Sequence, residues 1–174
     1  PPVERRPRQL PVTGVERWVR DPYAVYARYV LNLRQIDRPG QSAEAIARGQ
    51  AVHKAVERLT LSWPDVLPDD CEGEISRLLH EELTHHGFED AAMAREAPLA
   101  SNAARWLAGF EMRRRARGID IRVEETLALT FEAPAGPFTL TAKADRIELS
   151  GSGAAVLDFK TGQIPSAKQL KTGF

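Results

Sequence analysis

Residues Lys143–Gly162, which read KADRIELSGSGAAVLDFKTG, give the strongest indication of both fold and chemistry in this sequence. The segment contains two apolar stretches joined by Gly-Ser-Gly, a pattern typical of two antiparallel strands and a tight turn. The second stretch, AAVLDF, contains Asp158, and an ionised carboxylate is costly to bury unless it is paired or bound to a metal. We therefore expect Asp158 to have a role other than packing.

Asp145, Asp158 and Lys160 can meet at the ends of these two strands. Asp158 and Lys160 are two residues apart, so on one strand their side chains would leave the same face. The short turn can bring Asp145 alongside on the preceding strand. Two convergent carboxylates repel each other unless a cation lies between them, and oxygen ligands favour a hard ion such as Mg²⁺ or Mn²⁺. A lysine that orients water beside a metal that polarises a phosphoryl oxygen is the equipment for phosphodiester hydrolysis.

Ordinary ion pairing is the alternative explanation for the same residues. Asp145 could pair with Arg146 or another cation, and Lys160 could neutralise Asp158 in an exposed pair that contributes about 0–1 kcal/mol. A glycosidase with Asp145 and Asp158 as acid and base is a third reading, although no cluster of aromatic residues for sugar stacking lies nearby. An Asp-x-Lys tripeptide does not by itself choose among these.

The composition is that of an ordinary globular protein, with 43% hydrophobic and 28% charged residues. The 24 basic and 24 acidic residues give zero net charge, whereas a free-standing nucleic-acid-binding domain is usually strongly basic. Composition therefore neither indicates nor excludes DNA.

Cys71 is the single cysteine, which excludes an internal disulfide or a four-cysteine metal site within this chain. With no secretory pattern and no apolar stretch of membrane-spanning length, we expect a cytoplasmic location.

The chain is expected to consist of a linker or strap at residues 1–12 and one folded domain at residues 13–174. The first residues are rich in proline and arginine and lack periodicity, which is typical of a linker. We expect the domain to be a fragment that is incomplete at its C-terminal end, because the predicted sheet lacks a cover on one side.

Helical patterns fill the first two thirds of the chain, and strand patterns follow from residue 119. Asp21 is expected to cap a helix that has Pro22 in its first position. We expect helices at residues 14–20, 22–31, 42–61, 71–86 and 90–117, strands at residues 119–131, 138–149 and 154–159, and a final helix from residue 165. Helices followed by a three-stranded meander and another helix indicate an α+β protein.

Two of the predicted helices carry candidate functional residues. Gly49 and His53 lie one turn apart on the helix at residues 42–61, although a lone helical histidine is more often structural than a ligand. The helix at residues 90–117 ends in EMRRRARG, which suits a helix C-terminus and could also contact phosphates. On that helix Trp106, Leu107 and Phe110 are expected to pack inward. The candidate DNA contacts are Arg113, Arg114, Lys168 and Lys171.

Three motifs, GQAVH at residues 49–53, ADRIE at 144–148 and LDFKTG at 157–162, together resemble the RecB-like branch of the PD-(D/E)XK nucleases. More closely, TGVERWVRDPYAVYARYVLNLR, ARGQAVHKAVERL and LDFKTGQIPSAKQLKTG resemble the C-terminal nuclease domain of AddB, a subunit of the bacterial AddAB helicase–nuclease. The resemblance covers residue 13 to the end of the chain. It implies a restriction-endonuclease-like fold, with N-terminal helices, a mixed sheet, and an active site fronted by the histidine-bearing helix.

The resemblance also implies the chemistry of the site. It makes His53, Asp145 and Asp158 metal ligands together with the backbone carbonyl of Phe159, and it makes Lys160 the catalytic lysine. The implied cofactor is Mg²⁺, with Mn²⁺ as a substitute. The implied partners are DNA and an AddA-type helicase subunit in a heterodimer that processes double-strand breaks for recombinational repair, with no membrane. From its size, we infer that Gly49 permits close packing of the histidine helix.

The sequence departs from this family in two places. Many AddB-type nucleases hold an iron–sulfur cluster whose first cysteine immediately precedes a proline in the early helical region, and here that position is Asp21. Aspartate is not a usual iron–sulfur ligand, so we expect no such cluster. The family continues with a glutamine-bearing helix that helps to complete the site, so we expect the isolated fragment to be able to fold without being active. A catalytically silent scaffold that binds a partner helicase subunit or DNA remains the alternative.

Overall fold

A computed structural model of the chain describes residues 2–34 and 43–162. It confirms the α+β order, with helices first and a mixed sheet after them. A 3-10 turn at Val3–Arg5 precedes the helices, which are α1 Val12–Arg20, α2 Pro22–Tyr29, α3 Ala43–Ser62, α4 Cys71–His85 and α5 Asp90–Arg115. The strands are β1 Gln9–Pro11, β2 Asp120–Ala133, β3 Gly136–Ser150 and β4 Gly153–Leu157.

Strand β3 organises the sheet, because each of the other described strands pairs with it. β1 runs parallel to its first half, with Leu10 opposite Leu140. β4 runs antiparallel to its second half, with Arg146 opposite Leu157. β1 falls inside the segment that we expected to be a linker or strap, and its three residues are too few to show a strand period. The parallel pairing is what makes the sheet mixed.

The chain divides into two compact units. Among the described residues, unit 1 comprises 2–34 and 126–143, and unit 2 comprises 43–125 and 144–162. Strands β2 and β3 each contribute residues to both units. All of the candidate site residues that the structure describes belong to unit 2.

Unit 1 is built on helix α2 and strand β1. Leu10 and Val25 are buried in it. The Asp21 carboxylate accepts a hydrogen bond of 3.1 Å from the backbone N–H of Ala24, with Pro22 as the first helical residue. The predicted role of Asp21 as an N-cap is therefore confirmed.

Helices α3, α4 and α5 form the core of unit 2. Each contributes a stripe of apolar side chains, which are Ala55, Val56, Leu59, Cys71, Ile75, Leu78, Leu79, Ala104, Leu107 and Ala108. A bidentate pair between Arg48 and Glu96, at 2.7 and 2.5 Å, joins α3 to α5. No helix within the described ranges is long and apolar enough to cross a membrane.

Helix α5 is continuous, and one expectation for its packing is wrong. The helix continues through Pro98, because the missing N–H removes one hydrogen bond while the packed face holds the remaining turns. Trp106 is 58% exposed and does not pack inward. Leu107, which was also expected to pack inward, is buried, with 4% exposure.

Strand β4 is shorter and more exposed than expected. It ends at Leu157, before the predicted end at Phe159. Ala154, Ala155 and Val156 are exposed, so none of the residues that the structure describes buries this apolar run. Asp158 and Lys160 consequently lie just beyond the strand and not within it as predicted, although their side chains still meet, with Lys160 Nζ 2.5 Å from Asp158 Oδ2.

A buried ionic network joins α5 to β3. Arg146, which is wholly buried, donates to the Glu111 carboxylate and has its Nη2 atom 2.9 Å from Glu148 Oε1. Arg115 donates to Glu111 at 3.0 Å, and Arg114 donates to Glu148. The alternative pairing of Asp145 with Arg146 is therefore wrong, because two buried glutamates hold the guanidinium.

We expect the Cys71 thiol to react with an aromatic disulfide reagent only when the protein unfolds. Cys71 is 6% exposed, and burial raises the pKa of its thiol, with Glu111 and Asp70 adding to the shift against Arg115. A raised pKa leaves less of the reactive thiolate at neutral pH. The check is the labelling rate with and without urea, with Cys71→Ser identifying the signal. Rapid labelling of the native protein would contradict this burial.

Candidate metal centre

Helix α3 brings His53 against the segment that follows β4. The His53 Nε2 atom is 2.6 Å from the carbonyl oxygen of Phe159, and its Nδ1 atom is 3.4 Å from Oδ1 of Asp145. The imidazole also meets the Phe159 ring edge-on, with the centroids 6.4 Å apart. His53 therefore contacts both of the segments in which the sequence indicates ligands.

Asp145 lies where the paired region of β3 and β4 ends. The register that places Arg146 opposite Leu157 places Asp145 opposite Asp158 when it is continued by one residue. Because β4 has ended, the backbone N–H of Phe159 has no strand partner and donates instead to Oδ2 of Asp145 at 2.9 Å. This hydrogen bond fixes the carboxylate beside His53.

The carboxyl groups of Asp145 and Asp158 influence each other's protonation. Burial raises the pKa of Asp145, and Asp158 raises it further, against the opposing effects of Phe159 N–H and His53. Burial also acts to raise the pKa of Asp158, but hydrogen bonds from Lys160 and Asp145 outweigh it, so the pKa is lowered. The pKa values of two carboxyl groups that lie close together are expected to move in opposite directions. A cation between the two groups would relieve their repulsion.

Lys160 lies beside Asp158 at the surface. Its Nζ atom is 2.5 Å from Asp158 Oδ2, and both side chains are more than half exposed. An exposed pair of this kind adds little to stability. The position of the pair matters because Asp158 and Lys160 are the two chain neighbours of Phe159. The backbone of Phe159 contacts both His53 and Asp145.

Glu124 is a candidate ligand that the sequence analysis did not identify. One ligand atom from each of His53, Glu124 and Asp145 lies within 4.8 Å of the others. Glu124 interrupts strand β2 with a φ of 56°, a left-handed conformation that residues other than glycine adopt rarely and that often marks a functional position. The available signal was two consecutive glutamates, Glu124 and Glu125, within an otherwise alternating strand.

The donor atoms of this group suit a hard divalent cation. Mg²⁺ and Ca²⁺ bind oxygen at about 2.0–2.6 Å, so two ligands of one ion can be at most about 5 Å apart. The 4.8 Å limit for His53, Glu124 and Asp145 satisfies this condition. Carboxylate oxygens suit Mg²⁺ or Mn²⁺, whereas an imidazole more often binds zinc, copper, iron or nickel. The Phe159 carbonyl lies against His53 and offers a further oxygen.

Gly49 lies one turn before His53 on α3 and faces the same segment. A Cβ atom on Gly49 would be 3.3 Å from the Thr161 hydroxyl oxygen, closer than an ordinary contact. The absence of a side chain at this position therefore lets α3 approach the chain just after Lys160, as its size suggested.

The candidate DNA contacts have different environments. Arg114 is bonded to the buried Glu148 carboxylate, with its side chain 24% exposed, so it is not turned toward solvent as a phosphate contact would be. Arg113 is exposed. Lys168 and Lys171 lie outside the described residues.

The chain is similar to a known protein family over most of its length. The family model described as the PD-(D/E)XK nuclease superfamily matches residues 9–174. Relatives described as uncharacterized proteins occur in Rickettsia bellii, at 27% identity, and in Rickettsia felis and Rickettsia conorii, at 24% identity each. Each alignment covers 96% of this chain and 20% of the relative. The chain thus spans about a fifth of the length of these curated relatives.

Proposed function

The chain belongs to the PD-(D/E)XK nuclease superfamily, and on that premise we propose that it is the Mg²⁺-dependent DNA nuclease module of an AddAB-type helicase–nuclease. The observation that carries the proposal is the convergence of His53, Glu124 and Asp145, whose ligand atoms lie within 4.8 Å. The paired Asp158 and Lys160 flank Phe159, whose backbone contacts both His53 and Asp145. The proposed role is to cut one strand of a broken DNA end as a partner subunit unwinds it.

Each residue of the site has a distinct task in this proposal. Mg²⁺, when bound, polarises a phosphoryl oxygen and lowers the pKa of a water. His53, Glu124 and Asp145 would supply its ligands, together with the Phe159 carbonyl or Asp158. The Lys160 ammonium can donate one hydrogen bond to Asp158 and another to the attacking water or to a phosphate oxygen, which fixes their positions for reaction.

The distribution of charge supports a module that works with a partner. The described part of unit 1 has eight lysines and arginines against four aspartates and glutamates, an excess of four basic residues. The described part of unit 2, which carries the site, has 13 against 19, an excess of six acidic residues. An acidic unit is poorly suited to hold DNA alone, so an AddA-type helicase subunit is proposed to supply most of the phosphate contacts.

The test is strand cutting by the full-length complex with Asp158→Ala or Lys160→Ala. We expect at least about a hundredfold loss for each, the effect typical of a group positioned for proton transfer or charge stabilisation. Lys54→Ala is the matched control, because Lys54 lies next to His53 in the chain but pairs with Glu57 at the surface. If both site variants cut either strand as the wild type does, the assignment fails.

No iron–sulfur cluster is expected in the full-length protein. Asp21 occupies the position of the first cluster cysteine in many AddB-type nucleases, and here its carboxylate caps α2. The check is the iron and acid-labile sulfide content of the purified protein, where we expect neither in stoichiometric amount. Stoichiometric iron and sulfide would show that other residues hold a cluster.

A catalytically silent scaffold is the alternative function. The observation that favours it is the Lys160–Asp158 pair, which is largely exposed and already satisfied, as in an ordinary surface ion pair. A scaffold would bind DNA or a partner subunit without binding Mn²⁺ through its carboxylates. Metal binding therefore separates the two proposals.

A further inference from the structure

The arginines at the end of α5 divide into an inward and an outward pair. Arg114 and Arg115 belong to the buried ionic network with Glu148 and Glu111. Arg113, together with Arg117 just after the helix, is exposed. Neither of these two pairs with a carboxylate within the described parts of the chain. Two cationic side chains are therefore available to an anionic partner at one end of this helix.

Trp106 shares a face of α5 with Arg113, since seven residues make about two helical turns. The Arg113 guanidinium folds back along the helix, where its Nη1 atom would be 3.1 Å from a Cβ on Gly109. Gly109 lies three residues after Trp106, so the cation reaches the turn next to the indole. Trp106 is 58% exposed. The face therefore presents a large aromatic surface beside a cation.

The indole has a fixed support. Its ring stacks on Phe110 with centroids 5.2 Å apart and an interplanar angle of 15°. Phe110 in turn lies against the guanidinium groups of Arg114 and Arg146, at 5.9 and 5.6 Å. Because Arg146 is wholly buried, these contacts restrict Phe110. One face of the indole is covered by Phe110, and a flat partner can stack on the other.

A series of ring contacts connects this face to the candidate metal centre. Phe110 meets the ring of Phe159 edge-on at 6.4 Å, and Phe159 meets His53 edge-on at 6.4 Å. The backbone of Phe159 contacts both His53 and Asp145. The exposed indole and the candidate ligands therefore lie at two ends of one continuous aromatic cluster within unit 2.

We propose that Trp106 is a stacking platform for a base of single-stranded DNA next to the cleavage site, with Arg113 and Arg117 binding the adjacent phosphates. The inference rests on the proposed nuclease function. Exposed aromatic side chains beside cations are the means by which proteins hold single strands without reading their sequence. Arg113 and Arg117 supply local positive charge in a unit with an acidic excess, and the indole is connected to the candidate metal centre through Phe110 and Phe159.

Trp106→Ala tests the aromatic part in the full-length protein. We expect the KM for cutting of oligodeoxythymidine to rise about five- to a hundredfold, as for the loss of one stacked base. The kcat is expected to change little, since the indole does not touch the reacting atoms. Trp106→Phe keeps a π-face and should restore most of the affinity. Trp18→Ala, which changes a tryptophan of similar exposure, 49%, in unit 1, should leave the KM unchanged.

The arginines are tested by the salt dependence of the same reaction. Each phosphate contact on a single strand contributes about 0.7 to the slope of log affinity against log salt. Arg113→Ala and Arg117→Ala should each reduce the slope by about this amount, whereas Trp106→Ala should not change it. Arg95→Ala is the control, because Arg95 is an exposed arginine of the same helix that faces Glu44 at 3.4 Å. Its slope should equal that of the wild type.

A binding measurement in EDTA judges the inference separately from the proposed nuclease activity. Oligodeoxythymidine with 2-aminopurine at one position should lose fluorescence on binding at one or two neighbouring positions, and Trp106→Ala should restore it. This result requires no cutting. If Trp106→Ala changes neither the KM nor this fluorescence, or if it weakens only the association with the partner subunit, the face does not bind DNA. Absence of cutting by the wild type would instead overturn the proposed function.

Discussion

Replacing Asp145 with alanine is expected to abolish Mn²⁺ binding at the candidate centre and to reduce strand cutting at least about a thousandfold. Asp145 contacts His53 at 3.4 Å and Phe159 N–H at 2.9 Å, and it faces Asp158 across the strand ends. A bound metal contributes several kcal/mol to stabilisation of the transition state, and each 1.4 kcal/mol is tenfold in rate. The measurements are calorimetric titration of Mn²⁺ and the rate of cutting.

Asp145→Asn separates charge from shape in this experiment. The amide oxygen can still accept the hydrogen bond from Phe159, so the fold around the site is expected to persist while metal affinity falls. Asp65→Ala, in the exposed loop after α3, is the control and should titrate as the wild type does. Undiminished Mn²⁺ binding by both Asp145 variants would exclude the centre and leave the scaffold as the better account.

Replacing Arg146 with alanine is expected to reduce the free energy of unfolding by about 3–5 kcal/mol. Arg146 lies between Glu111 and Glu148, all three at 2% exposure or less. Removing the guanidinium takes away the shared partner of two buried carboxylates, which keep only Arg115 and Arg114 respectively, and breaking a buried ion pair by removing one partner carries a cost of this size. It also removes the cation beneath Phe110. The measurement is urea unfolding followed by circular dichroism.

Arg77→Ala is the matched control for Arg146. Arg77 also bridges two glutamates, Glu74 and Glu81, but on the exposed face of α4, where solvent can replace the lost contacts. We expect a much smaller change in the free energy of unfolding for this variant. Similar losses for the two variants would show that burial does not determine the contribution of these ion pairs.

The central pair of carboxylates could be predicted from the sequence because it depends on local geometry. A Gly-Ser-Gly turn and an apolar strand on either side determine the register, and the register places Asp145 opposite Asp158. Likewise, the position of Gly49 one turn before His53 follows from helical spacing. Each of these predictions depends on one short turn or one helix, and within such an element the side-chain directions are known from the backbone period.

Features that depend on distant parts of the chain could not be predicted in this way. Glu124 joins His53 and Asp145 through an irregular φ in β2, and the two consecutive glutamates at this point do not by themselves show that the backbone departs from a regular strand there. The strand at Gln9–Pro11 exists only by pairing with β3, more than a hundred residues later. Trp106 was expected to pack inward with Leu107 and Phe110, whereas the packing of α5 places Leu107 in the core and leaves the indole exposed.

The zero net charge of the chain conceals an unequal distribution. The described part of unit 1 is basic and that of unit 2 is acidic, so whole-chain charge is a poor guide to where DNA would bind. In unit 2, arginines of α5 that look equivalent in sequence differ in role: Arg114 stabilises the core, and Arg113 remains at the surface. Only the partners of each guanidinium distinguish the two.

Crystals of the full-length protein soaked in Mn²⁺ would test the central claim most directly. We predict an anomalous difference peak bounded by His53, Glu124 and Asp145, with the Phe159 carbonyl or Asp158 as a further ligand. The peak should disappear in Asp145→Ala crystals under the same soak. A fully soaked wild-type crystal with no peak at this position, or with Mn²⁺ bound only elsewhere, would contradict the account.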